Sequence, residues 1–436
     1  MRVPSAWMLV DIISDMEATH LEDRARLASR ALVGRYYREL ESDEFRDRKV
    51  VYLYTSGSIA ELFRSFGFRV VFPEINCIHI SRNNAAVEMI HHGEALGYGS
   101  HICSYVKSDL GLMAGPPQGQ TPFGKIPKPD LIVINHTGCS TYIKWAEALQ
   151  REFGCETRIV DVPFIREEGR TEFDHQYVRT QIEELIPTCE ALSGRKFDRD
   201  KLGEILGLTK ETIDLWMRLL DFGKIKPAPF DGYFDAVSYL APMTIWRGTR
   251  DSVNFYKIVI EQIEERVRNR FSPVGEEKFR LLFDGSPPWP RFREFRKMFT
   301  DWKAVGVATT YVRVVCACEE VEFGPDMPMD YLASLATQSY YNWNHMKKLR
   351  FIEKMARDFD VDGIIAHSVR SCKPMSLGQL DLRSYFAGEA GIPSLFLDSD
   401  MADPRYFTMA QTRDRVSTFF EAMKIAKKHA AGHRIV

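Results

Sequence analysis

From residue 48 onward, short apolar runs alternate with stretches of helical spacing. RKVVYLYT reads as a strand, SGSIAELFRSF as a helix and FRVVFPE as the next strand; PDLIVINHT and TRIVDVPF continue the series around the helix WAEALQREF. These strands are β-branched and do not alternate with polar residues, the pattern of parallel strands covered on both faces. Residues 1–47 are polar, and HLEDRARLASRALVGRYYREL predicts an amphipathic leader helix. Residues 166–275 carry no strand of that kind. QYVRTQIEELIPTCEALSG, RDKLGEILG, KETIDLWMRLL and VNFYKIVIEQIEERVRN predict a helical subdomain.

The strand pattern resumes with EKFRLLFDGSPPW, followed by the helix FREFRKMFTDW and the strand AVGVATTYVRVV. VDGIIAHSV and IPSLFLDSD complete the set, and QTRDRVSTFFEAMKIAKKHA closes the chain as a helix. The two stretches look like copies of one plan. RKVVYLYTSGS matches EKFRLLFDGSP, KPDLIVINHTGC matches DVDGIIAHSVRSC, and ETRIVDVPF matches IPSLFLDSD. The predicted fold is α/β: two doubly wound parallel-sheet domains, 48–165 and 276–436, facing across a cleft. The helical leader 1–47 and the helical subdomain 166–275 complete it.

Composition adds limits. Of 436 residues, 45% are apolar and 27% charged, and the net charge of -2 gives no nucleic-acid surface or polybasic anchor. The apolar run near the N-terminus is broken by Asp11 and Asp15, so neither a signal peptide nor a membrane span is expected. A cytoplasmic location is the resulting expectation. In that reducing setting the eight cysteines are buried thiols or metal ligands rather than disulfides.

In an open parallel sheet, ligands bind beyond the carboxyl ends of the strands. Cys139 directly follows LIVINHTG, Cys372 directly follows GIIAHSVRS, and Cys103 lies in GYGSHICSYVKSDLG between helical stretches. Three thiolates from separate loops can hold an iron–sulfur cluster between domains. Neither the paired CxxC of structural zinc nor a ferredoxin-like run is present. Three cysteines around a [4Fe–4S] cluster leave one iron open to substrate; four would make the protein an electron carrier. Cys77, after FRVVFPE, is the reserve ligand, while Cys155, Cys189, Cys316 and Cys318 fall inside element patterns.

HSVRSCKPMSLGQLDLR, GIPSLFLDSDMADPR and QTRDRV, together with FPEIN, LGYGSHICSYVKSDLG and KPDLIVINHTGCSTYIKW, resemble the benzoyl-CoA reductase/2-hydroxyacyl-CoA dehydratase family. The resemblance spans roughly residues 48–425 and leans toward the larger cluster-binding subunit of the ATP-dependent reductases. It implies cluster ligation by Cys103, Cys139 and Cys372, with Cys77 a non-ligand. It also implies a related second cluster-binding subunit and a separate ATP-hydrolysing activator that donates electrons. The chain has no GxxxxGK[ST] loop, so ATP would be used only by that partner.

The reaction so implied is one-electron reduction of an aromatic acyl-CoA ring, the thioester carrying the added electron as a ketyl. The alternatives are radical dehydration of a 2-hydroxyacyl-CoA and electron transfer without catalysis. His136, His367 and Tyr105 are the proton-donor candidates nearest the ligands in sequence, and Lys373, Ser376 and Gln379 the candidate substrate or CoA contacts. Lys107 and Lys144 are weighed against ordinary solvated charges.

Overall fold

The computed structural model describes residues 23–115, 119–121, 124–313, 321, 323–324 and 326–432. Eight strands build two sheets. We number them β1 (Val50–Leu53), β2 (Arg69–Val71), β3 (Leu131–His136), β4 (Glu156–Asp161), β5 (Phe279–Asp284), β6 (Ala304–Thr309), β7 (Gly363–Val369) and β8 (Ser394–Ser399). The first sheet has the order β2-β1-β3-β4 and the second β8-β7-β5-β6, every pair parallel. Counted from its own first strand, each sheet therefore runs 2-1-3-4, its second and fourth strands standing at the edges. The central strands β1 and β5, and the edge strand β6, are buried at every position, as their unbroken apolar runs require.

In the first sheet the winding direction reverses between β1 and β3, and in the second between β5 and β7. The crevice where ligands bind in such sheets opens at a reversal, beyond the strand ends. In the first sheet it lies between the residues after β1 (Thr55–Ser58) and those after β3 (Thr137–Cys139). In the second it lies between the end of β5 with the residues after it (Asp284, Gly285 and Ser286) and those after β7 (Arg370–Cys372). The first reversal is tied to a distant part of the chain, since the hydroxyls of Ser56 and Ser339 meet at 2.5 Å, both buried.

Among the described residues, 166–275 carry helices joined by turns and loops, with an isolated bridge between Arg166 and Gly169. Helix Arg199–Asp221 is capped by Asp198, whose carboxylate accepts from the Lys201 N–H at 2.9 Å, and buries Leu202, Leu206, Thr209, Ile213 and Trp216 at helical spacing. Helix Arg250–Arg268 is capped by Thr249 and buries Val253, Tyr256, Val259 and Ile263. The leader helix Arg24–Glu41 lies against this group. Arg26 pairs with Asp235 at 2.5 Å, and the Gln262 side chain accepts from the Ala25 N–H at 2.9 Å. A fully buried pair, Glu61 with Arg247 at 2.6 Å, fastens the helical region to helix Ala60–Ser65 of the first sheet.

Two local expectations change. FPEIN does not extend the strand; Pro73 opens helix Pro73–Arg82, for which its fixed φ and missing N–H are suited. AVGVATTYVRVV is a strand only through Thr309, after which Tyr311–Arg313 form a short 3-10 turn. Cys316 and Cys318 lie outside the described residues, as does the start of the leader before Asp23. No described helix is long and apolar enough to cross a membrane.

Candidate functional site

Cys103, Cys139 and Cys372 each stand at the start of a helix. Cys103 is the N-cap of helix Ser104–Met113, Cys139 precedes the N-cap Ser140 of helix Thr141–Phe153, and Cys372 is the N-cap of the short helix Lys373–Ser376. Each sulfur faces the N–H three residues on: Val106, Tyr142 and Met375 respectively. Free N–H groups at a helix start favour a thiolate. Gly138 lets the chain turn into this position. Its φ is +83°, and a Cβ there would sit 2.8 Å from the Tyr341 carbonyl oxygen.

The loops bearing two of these cysteines meet directly. The Ser104 N–H donates to the Ser371 hydroxyl at 3.2 Å, joining the residue after Cys103 to the residue before Cys372. Ser371 in turn donates to Asp400, which also accepts from the Ala402 and Asp403 N–H groups at 3.0 Å. Burial pushes the Cys103 thiol up to about 12 and the Cys139 thiol up to about 11, and Cys372 well above the usual range. After burial, the charges of Cys103 and Cys139 are the largest influences on Cys372. Among the described residues no three His, Cys, Asp or Glu side chains are gathered closely enough to share a single ion. The trio is thus within mutual electrostatic reach but more widely set than the ligands of one metal.

A three-thiol donor set that burial makes costly to ionise, with N–H groups aimed at each sulfur, fits a cationic iron–sulfur group. Soft thiolates are the ligands such clusters take, and the N–H contacts are the kind that tune them.

Around the thiols stand groups that sequence reasoning did not single out. Glu74 is buried, and its pKa is raised by that burial. Its carboxylate accepts from the Tyr142 hydroxyl and from the Thr55 N–H, both at 2.6 Å, and its charge is felt at Cys139. The only sequence signal was an acidic residue directly after a strand, within the FPEIN motif. Tyr311 and Tyr341 also lie where the Cys372 charge reaches them.

At the reversal of the second sheet lies a crevice with about 470 Å³ of free space, partly open to solvent. Its walls include Asp284, Tyr340, Tyr341, Lys348, Met375 and Gln379. Asp284 accepts from the Thr310 hydroxyl at 2.6 Å, and Lys348 donates to the Tyr341 carbonyl at 3.2 Å. Burial lowers the pKa of Lys348, and the charges of Asp284 and Cys372 oppose that.

The remaining candidates are placed differently. Tyr105 is buried, its hydroxyl accepting from the Trp289 indole N–H at 2.6 Å. His136 is part-exposed at the end of β3, with Nδ1 3.0 Å from Asp161. His367 lies inside the second sheet with both ring nitrogens engaged: Nδ1–H donates to the Ser286 carbonyl, and Nε2 accepts from the Ser399 hydroxyl at 2.5 Å. Burial lowers its pKa, the bond to the Ser286 carbonyl opposing that, and the two bonds make the ring a brace between strand ends.

Gln379 lines the crevice. Its Nε2 donates to the His367 carbonyl at 3.3 Å, and its Oε1 is buried with no hydrogen-bond donor. Ser376 donates back to the Cys372 carbonyl, and Lys373 to the Arg370 carbonyl, so both are turned toward their own loop. Lys144 is a surface charge beside Glu147, whereas Lys107 is 1% exposed and paired with Glu94 at 2.9 Å.

Cys77 is buried on helix Pro73–Arg82, its thiol donating to the Tyr105 carbonyl at 3.3 Å. Cys189 is buried in helix Ile186–Ser193, and Cys155 lies between helix Thr141–Phe153 and β4 rather than inside either.

A family model described as 2-hydroxyglutaryl-CoA dehydratase, D-component, matches residues 57–423. The chain is 33% identical to a benzoyl-CoA reductase subunit of Thauera aromatica, over 92% of this chain and 95% of that protein. It is 28% identical to the (R)-phenyllactyl-CoA dehydratase alpha subunit of Clostridium sporogenes, covering 85% and 88%. It is 26% identical to the alpha subunit of (R)-2-hydroxyglutaryl-CoA dehydratase of Acidaminococcus fermentans, covering 91% and 96%.

Proposed function

The chain belongs to the 2-hydroxyglutaryl-CoA dehydratase D-component family, and from that premise we propose that it is the iron–sulfur subunit of a benzoyl-CoA reductase. The observation that carries the reading is the convergence of Cys103, Cys139 and Cys372, each thiol at a helix start with an N–H facing it. These three residues would hold a [4Fe–4S] cluster. When bound, the cluster supplies low-potential single electrons to the thioester-activated acyl group.

The chain's own residues do the rest. The crevice beside Cys372 takes the acyl end, with Tyr340, Tyr341 and Met375 excluding water from an aromatic ring. Lys348 puts a largely desolvated positive charge at the same wall, where it favours negative charge developing on a thioester oxygen. Glu74, its pKa raised by burial and its carboxylate accepting from the Tyr142 hydroxyl, is the acidic group we place nearest Cys139 for proton delivery. Of the three donor candidates taken from the sequence, Tyr105 and His136 keep that role as proposals; His367 acts as a brace.

The partners of this reading are a related second subunit and an ATP-hydrolysing activator that donates the electrons, in keeping with relatives that are themselves named as subunits. A second reading, reversible dehydration of a 2-hydroxyacyl-CoA, is favoured by the family model and by the dehydratase relatives. The reductase is preferred because that relative is more similar over more of both chains than the phenyllactyl-CoA dehydratase subunit.

The test is anaerobic co-purification with the neighbouring subunit, followed by iron and sulfide analysis, EPR and reductant stoichiometry. About four irons per chain, an EPR signal altered by benzoyl-CoA and net consumption of reductant support the reductase. Reductant needed only in catalytic amounts assigns the dehydratase, and a cluster indifferent to every CoA ester leaves electron transfer.

A further inference from the structure

The QTRDRV motif and the Arg of HSVRSC have no part in the cysteine site, yet the fold brings them to one place. A second hollow, with about 550 Å³ of empty space counted together with the solvent open to it, is lined by Arg370 following β7, Arg405 and Tyr406 from the segment after β8, and Thr408, Gln411 and Arg415 around the start of helix Met409–Gly432. Asp398 is the single carboxylate in its lining. We propose that this hollow binds the phosphate groups of the CoA portion of the substrate, the site being built from Arg370, Arg415 and the hydrogen-bond donors between them. The proposal deepens the acyl-CoA reading above and rests on it.

The charge balance favours a phosphate. Arg405 is already neutralised by Asp403 at 2.7 Å and Glu94 at 2.6 Å. Arg370 has a ring contact, its guanidinium 4.8 Å from the Tyr406 centroid, and neither Arg370 nor Arg415 makes an ion pair among the described residues. Two guanidiniums against one carboxylate leave a positive hollow lined by Arg, Thr, Gln and Tyr side chains that can donate hydrogen bonds. That is the chemistry that takes phosphate oxygens, and guanidinium takes them in a fork. The concave form suits a small polyanion rather than the flat face of a partner.

Position adds an independent argument. Arg370 is two residues from Cys372, so their Cα atoms are at most about 8 Å apart along the chain. The hollow and the acyl crevice are therefore both reached from the loop Arg370–Gln379, one from its start and the other from its end. A thioester seated at the crevice has its nucleotide at the far end of a pantetheine arm, and the hollow is the positively charged recess beside the same loop.

The experiment measures affinity of the anaerobic, cluster-containing complex for benzoyl-CoA and for S-benzoyl-pantetheine, which lacks the nucleotide. Wild type, Arg415→Gln and Arg370→Gln are compared, with iron content as the control for an intact site. Losing one charge-assisted contact should weaken benzoyl-CoA about tenfold or more, leave S-benzoyl-pantetheine unchanged and abolish competition by adenosine 3′,5′-bisphosphate. Arg415→Gln is the decisive variant, because it lies far in sequence from any cysteine. Equal affinity of the variants and wild type for benzoyl-CoA, or equal weakening of both thioesters, overturns the proposal and leaves the acyl-CoA reading standing. A wild-type complex that binds neither thioester overturns that reading and this proposal together.

Discussion

The helix that begins after Cys103 and the helix that follows Cys139 are joined by one buried hydrogen bond, from the Trp145 indole N–H to the Asp109 carboxylate at 2.7 Å. Asp109 is 0% exposed, and its other oxygen, Oδ1, has no hydrogen-bond donor. Burial raises its pKa from the ordinary 3.8 to about 7, the Trp145 bond offsetting only part of that. A carboxyl raised in the folded state binds its proton more tightly there than in the unfolded chain. Its contribution to stability is therefore fully present below pH 3.8 and is lost as pH rises to about 7.

At 1.36 kcal/mol per pH unit, the accumulated loss is about 1.7 kcal/mol at pH 5 and about 4.3 kcal/mol at pH 8. Asp109→Asn keeps an acceptor for Trp145 and removes the charge. The new amide N–H₂ adds a fixed cost of about 1–3 kcal/mol if unsatisfied, the same at every pH. The quantity that isolates the carboxyl is thus the change in the variant-minus-wild-type difference between pH 5 and pH 8, about 2.6 kcal/mol in favour of the variant. Spread over 436 residues at roughly 2.1 cal/mol/K each, that is about 3 °C in Tm. Thermal melts of both proteins at the two pH values supply the assay. Parallel pH dependences would refute the reasoning, since they would mean that Asp109 is solvated or already compensated.

Other outcomes follow from the same geometry. Cys103→Ala, Cys139→Ala and Cys372→Ala should each strip iron and labile sulfide, while Cys77→Ala, Cys155→Ala and Cys189→Ala retain them; a retained cluster in any of the first three would break the ligand assignment. Glu74→Gln should leave iron content and EPR signal in place and lower turnover by about 10²–10⁴; unchanged turnover removes Glu74 from proton delivery. Gly111→Ala places a Cβ 1.8 Å from the Met89 carbonyl oxygen, so it should cost about 1–3 kcal/mol or more and displace the Cys103 helix, seen as a lower Tm with reduced iron loading. Arg247→Met leaves Glu61 buried and without its guanidinium and should cost about 3–5 kcal/mol in denaturant unfolding; a change below about 1 kcal/mol would mean that Glu61 finds another partner.

Strands β1, β3, β5 and β7 were legible in the sequence because a parallel strand covered on both faces is apolar along most of its length, whereas the edge strands β4 and β8 keep exposed positions. The same pattern located Cys139 and Cys372 at strand ends, and the rule that open sheets bind ligands there gave those cysteines a reason to matter. Tertiary structure alone decided what faces them. Glu74 and Lys348 look like ordinary charged residues in a string of letters. Only burial, which depends on what packs above them, raises the pKa of the one and lowers that of the other. His367, two residues before the end of the strand that leads to Cys372, had the sequence position of a proton donor; its neighbours Ser286 and Ser399, 81 and 32 residues away, occupy both nitrogens. Spacing along each strand and helix is written in the chain because it is local. Which side chains meet across loops depends on non-local packing, as where the Ser104 N–H reaches Ser371 and joins the loops of Cys103 and Cys372.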